Sequence, residues 1–142
     1  MSITQLIFTT LLIILCSSIL TAQNLNTETP TGCEDNEARL DQIAYLLAEQ
    51  NDSTNILIII TRLGNGENSL DLSNHRLHNA REYLLTSPLS ISKDRIITAI
   101  GEKTIGFGRV EFYFGGKRIE TLVTSKNRPL CVDCCENNRI KP

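Results

Sequence analysis

Tryptophan is missing altogether, and Phe and Tyr number only four and three. That leaves no material for the aromatic platform on which bases or sugars stack. Positive charge is not in excess either: 14 Lys and Arg stand against 16 Asp and Glu, interspersed, for a formal net charge of −2. A nucleic-acid binder needs a basic footprint, so that class is set aside. No apolar run approaches the roughly 20 residues that span a hydrocarbon core. Gly64-x-Gly66 and Gly106-x-Gly108 are not followed by Lys-Ser or Lys-Thr at a helix start, so neither is a phosphate loop. A nucleophile elbow and an internal repeat are also lacking. His75 and His78 stand three apart with Asp71 four before His75, but no third ligand falls at helical spacing. They read as a solvated helix face. The expectation is a non-enzymatic chain with no cofactor and no metal, and its 142 residues suit one domain.

What is present begins with a targeting pattern. Leu6 to Leu15 is apolar apart from Thr9 and Thr10; Cys16, Ser17 and Ser18 follow, and small Thr21 and Ala22 precede Gln23. This is the apolar core and small-residue cleavage site of a secretory signal peptide over residues 1–22. It places the protein in the periplasm or outside the cell. No Lys or Arg precedes the run and Leu20 is bulky, so an uncleaved membrane anchor is the second reading. Leu15 before Cys16 is not the small residue that lipid attachment prefers. Residues 23–32 are polar, with Pro30, and read as a flexible leader.

The domain spans residues 33–130, and its centre is Asn55 to Leu85. Asn55 to Thr61 is a short β-branched run, as in a strand covered on both faces. Gly64 and Gly66 break it. Leu70, Leu77 and Leu84 then repeat at seven, with Ala80 between, as one stripe of an amphipathic helix. Asn74, Arg81 and Glu82 fall on its wet side. Before this unit, Leu40, Ile43, Ala44 and Leu47 mark a helix over Glu34–Gln50, with Glu34, Asp35 and Glu37 at its positive end. After it, Pro88 ends the helix, and Ser92 is placed to cap a short turn. Arg95 to Gly101 is a second apolar strand. Arg109 to Phe114 alternates, with Val110, Phe112 and Phe114 one way and Glu111 and Tyr113 the other. Gly115-Gly116 is a two-residue hairpin signal. Lys117 to Thr124 returns with Ile119, Thr121 and Val123 on one side. Helix, strand, helix and three strands give an α/β fold of the α+β sandwich kind: two helices on one face of a small mixed sheet, with right-handed crossovers.

Four cysteines follow the signal segment: Cys33, Cys131, Cys134 and Cys135, the last three in a Cys-rich tail over residues 131–142. An even count in an exported chain points to disulfides. A bridge between adjacent Cys134 and Cys135 is strained, so Cys33 pairs with Cys134 or Cys135, and Cys131 with the other. The longer loop closes about a hundred residues and stabilises by roughly 4–5 kcal/mol in the chain-entropy model. A four-cysteine zinc site is the competing reading; Cys131-x-x-Cys134 has ligand spacing, but Cys33 has no paired neighbour in sequence.

Several pieces, in order, resemble the OmpA-like, peptidoglycan-associated domain. Leu40-Asp41-Gln42-Ile43-Ala44 with Leu47 looks like its first helix. Leu72-Ser73-x-x-Arg76-Leu77 followed by Tyr83-Leu84 is similar to its second-helix signature. Arg95-Ile96 with Gly101-Glu102, and Gly108-Arg109-Val110-Glu111, resemble two of its strands. The likeness covers Leu40 to Phe114. It implies a cell-envelope module that grips the diaminopimelate of peptidoglycan, with an Arg for its carboxylate and an Asp for its ammonium. Arg76 stands at the Arg position. The Asp position falls in Thr61-Arg62-Leu63-Gly64-Asn65-Gly66-Glu67, which holds no Asp. The implied ligand-binding residues are therefore Arg76, Arg62, Asn65 and Glu67, with Glu67 replacing the Asp if the loop folds back. The second reading keeps the fold as a disulfide-stapled structural or protein-interaction module without glycan binding. The expected partner is peptidoglycan in the first case and another envelope protein in the second.

Overall fold

The computed structural model describes residues 28–50, 55–89 and 91–133. The signal segment, residues 23–27 of the leader, Cys134 and Cys135 lie outside the described residues. Helix α1, Cys33–Glu49, starts at an extended Gly32 and carries Glu34 and Asp35 in its first turn, where acids favour the dipole's positive end. Strand β1 is Leu57–Arg62. Helix α2, Leu70–Thr86, is capped by Ser69, whose hydroxyl accepts from the Leu72 N–H at 3.2 Å. A 3₁₀ turn, Lys93–Arg95, leads into β2, Ile96–Ile100. Ser92 sits at the cap position of that turn but serves it through its carbonyl, which accepts from the Arg95 N–H at 2.9 Å. Strands β3, Arg109–Phe114, and β4, Lys117–Val123, form a hairpin. Gly115 and Gly116 both take positive φ at its tip, 57° and 76°, as a right-twisting two-residue turn requires.

The sheet order is β2-β1-β3-β4. β2 runs parallel to β1, as the intervening α2 demands, while β3 is antiparallel to β1 and to β4. Both helices cover one face, so the architecture is an α+β two-layer sandwich. The core between the layers holds Leu40, Ile43, Ala44 and Leu47 of α1 and Leu77, Ala80 and Leu84 of α2. Facing them are Leu57 and Ile59 of β1, Val110, Phe112 and Phe114 of β3, and Leu122 of β4.

Three sequence expectations change. Leu70 is 64% exposed; the buried stripe of α2 starts one turn later, at Ser73, Arg76 and Leu77. β1 is covered on one face only: Leu57, Ile59 and Thr61 are buried while Ile58 is 37% exposed. With two helices on one side, alternation leaves the even residues of β1 on the open side. In β4 the register shifts opposite Phe112 and Tyr113, so Glu120 pairs with Phe112 and Arg118 with Tyr113. This bulge leaves Ile119 unpaired and packs it against the core. Leu122, rather than Thr121 or Val123, is then the residue of the far half that points between the layers.

The helical stripe can be tested at its two unlike leucines. Leu77→Ala is expected to cost about 2–5 kcal/mol of unfolding free energy, and Leu70→Ala to stay within about 0.5 kcal/mol. Equal midpoints for the two variants in urea melts would sink this assignment of the buried face.

Candidate functional site

The connection from β1 to α2 is a short loop that turns back on itself. Gly66 adopts φ 76°, and the Glu67 N–H donates to the Gly64 carbonyl at 3.2 Å. Ser69 then fixes where α2 begins. These constraints aim Glu67 inward, under the loop, towards Arg76 two turns into the helix. The two side chains meet in a two-pronged ion pair: Arg76 Nη1 donates to Glu67 Oε2 at 2.8 Å and Nη2 to Oε1 at 2.7 Å. Arg76 is 0% and Glu67 1% exposed.

The surrounding backbone satisfies most of what remains. Arg76 Nε donates to the Arg128 carbonyl at 3.0 Å and Nη2 to the Ser125 carbonyl at 3.3 Å. Glu67 accepts the Gly64 N–H at 2.8 Å and the Asn127 N–H at 2.7 Å. Asn127 holds φ 56° to aim that N–H, a left-handed conformation that Asn tolerates better than most residues. Gly108 passes directly over the pair, and a Cβ there would collide with the Arg76 guanidinium and the Glu67 carboxylate. Gly64 in turn lies against the backbone of residues 106–108. Burial by itself pushes the Glu67 carboxyl up. The hydrogen bonds from Arg76, Gly64 and Asn127, and the charge of Arg76, outweigh it and bring the group from 4.5 down to about 2.

Not all the expected site residues gather here. Arg62 follows buried Thr61 and so faces the opposite, open side of the sheet. There its Nε donates to Glu111 Oε2 at 2.9 Å. Arg118 lies 3.5 Å from Glu111 Oε1, and the Tyr113 hydroxyl donates to Oε2 at 2.9 Å. Between burial and these donors, Arg62 is held above its ordinary range by Glu111, and Glu111 below its own by Arg62 and Tyr113. Asn65 does lie near the pair: its N–H donates to the Gly106 carbonyl at 2.8 Å. With Glu67, Phe107 and Lys126 it lines a small cavity of about 210 Å³. Cys33 is half-buried and Cys131 exposed; the two lie near one another without being bonded together. His75 Nδ1 sits 3.5 Å from Asp71 Oδ2, with both side chains largely exposed.

Sequence reasoning did not find Gly108, Ser125, Asn127 and Arg128 as parts of this site. Three of them act through backbone carbonyls or an N–H, which carry no side-chain signature. No family model matches the chain, and comparison with curated proteins and with solved structures returned no match. The geometry therefore carries the argument alone.

Two measurements follow. The folded carboxyl of Glu67 lies below its ordinary 4.5, so its contribution is complete above that value and is lost as pH falls towards 2. The loss amounts to about 3 kcal/mol. Urea melts across this interval are expected to show that decline in the wild type and not in the Glu67→Leu/Arg76→Leu double variant; parallel slopes would refute it. Gly108→Ala is expected to destabilise by more than about 2 kcal/mol, while Gly32→Ala, with open space around it, is near neutral. Calorimetric midpoints of the two variants decide this.

Proposed function

We propose that this chain is an exported, non-enzymatic module of the OmpA-like kind, kept as a structural or protein-interaction domain rather than as a grip on peptidoglycan peptide. The observation that carries this reading is the seat of the Glu67 carboxylate on Arg76. The resemblance assigns Arg76 to a ligand's carboxylate. Here an internal carboxylate takes both prongs of the guanidinium, at 2.7 and 2.8 Å, and two main-chain carbonyls take further donors. An incoming carboxylate would have to displace Glu67 and leave it buried beside a like charge, at a cost of several kcal/mol. The expected ammonium-binding carboxylate is, by the same contact, committed to Arg76. Arg62 is turned to the other side of the sheet and adds nothing to this end. Export rests on the N-terminal pattern, and the envelope is the expected location.

Purified sacculi provide the test. The oxidised chain from residue 23 onward should stay in the supernatant after sedimentation with sacculi, and so should Arg76→Ala. Wild-type binding that Arg76→Ala abolishes would reverse the reading: the peptide would then displace Glu67 and use the 62–67 loop.

A further inference from the structure

The strand directions gather three loops at one end of the sheet. β1, β2 and β4 end there, and β3 begins there. This end therefore carries the β1–α2 loop, the β2–β3 loop and the segment after β4. Two main-chain bonds pin the β2–β3 loop to the first of these. The Thr104 N–H donates to the Leu63 carbonyl at 2.9 Å, and the Gly106 carbonyl accepts the Asn65 N–H at 2.8 Å. Gly106 takes φ 84°, a conformation that glycine adopts without strain. Its two neighbours are apolar and exposed: Ile105 by 89% and Phe107 by 41%. Leu70, where the β1–α2 loop gives way to α2, is 64% exposed. Single apolar residues on a surface are ordinary, but several on one anchored end mark a contact site.

We propose that this end of the domain is a membrane-contact surface: Ile105 and Phe107 enter the apolar boundary of an anionic lipid layer, and Lys103, Lys126 and Arg128 meet its phosphates. The charge of the three loops favours it. Lys103, Lys126 and Arg128 are all exposed. Lys103 Nζ donates to Asn68 Oδ1, and the Lys126 ammonium lies beside Gly66. Against them the loops set Glu102 and Glu67, and Glu67 is already answered by Arg76. Asp71, just inside α2, is exposed beside His75. Apolar side chains next to cations suit an interface where buried apolar area and attraction to anionic headgroups add together. The long lysine stems keep their ammonium groups at headgroup level while the apolar groups go deeper. A protein partner would need a pocket for Ile105 and carboxylates placed to match; a lipid layer offers apolar depth and dense anions without either. The described chain also enters at this end. Glu28 pairs with Arg109 at 3.1 Å, and the Thr31 N–H donates to the Val123 carbonyl at 2.9 Å. The apolar run of residues 6–15 is thus joined to the domain at the end that carries Ile105.

The absence of tryptophan from the chain makes a direct test available. Ile105→Trp places a single fluorophore in the β2–β3 loop, and Ile97→Trp places one on the open sheet face, where Ile97 is 52% exposed. Both are made in the chain from residue 23 onward, so that the apolar N-terminal run adds no affinity of its own. The probe is vesicles of phosphatidylethanolamine and phosphatidylglycerol. The chain is expected to float with them, and lipids brominated on their acyl chains should quench the fluorophore at position 105 and not the one at position 97. Ile105→Ser, and separately Lys103→Glu with Lys126→Glu, should each lower the floated fraction severalfold while leaving the melting midpoint unchanged. Absence of flotation overturns the proposal and leaves this end to a protein partner. Flotation with position 105 unquenched, or with both positions quenched alike, also overturns it. So does flotation that Ile105→Ser leaves intact, or that is equal on phosphatidylcholine alone.

Discussion

A guanidinium shut away from water brings a charge and five N–H donors that water no longer satisfies. Three elements of this fold are shaped by that demand at Arg76. The β1–α2 loop doubles back so that Glu67 can supply two acceptors. The segment after β4 turns its Ser125 and Arg128 carbonyls inward. The β2–β3 connection passes close overhead, at a place only a glycine can occupy. Each of these is irregular backbone, without ladder or helix to hold it. The ion pair gives the three loops a common fixed point. Such pairs contribute modestly to net stability, because desolvation offsets most of the attraction, but removing one partner leaves the other uncompensated.

The two sheet faces divide the remaining work. The helical side is apolar and close-packed around Leu40, Leu47, Ile59, Leu84 and Phe112. The open side is built on Arg62, Glu111, Arg118 and Tyr113, where Glu111 is buried by its own partners rather than by a third layer. Small sheets with an uncovered face commonly keep it polar. Here two arginines and one glutamate do that, sharing the face with exposed Ile58 and Ile97.

Periodicity made the architecture legible. The spacing of Leu40, Ile43, Ala44 and Leu47 fixes α1, and Gly115-Gly116 fixes the hairpin, because both signals are local. The register errors have a common cause. Leu70 matches the heptad as well as Leu77 does, but it sits in the first turn and stays exposed; only tertiary structure says where the layer ends. At Ile119 a bulge that leaves no mark in composition breaks the alternation, so that Leu122 rather than Thr121 or Val123 points between the layers. Around Arg76 the sequence identified the two side chains but not their relation. Spacing alone could not tell a Glu that shares a ligand with Arg76 from a Glu that binds Arg76 itself. The contributors from residues 108 and 125–128 act through backbone and lie far along the chain, so no pattern of side chains could reveal them.

The position of the Asn127 N–H has a kinetic consequence. It reaches Glu67 across a sequence separation of 60 residues, and the Arg128 carbonyl reaches Arg76 across 52. Contacts this distant close late, after the local helices and the hairpin have formed. The centre of the fold is thus completed only when the turn beyond β4 joins it, and what holds the β1–α2 loop in place is supplied from the other end of the domain.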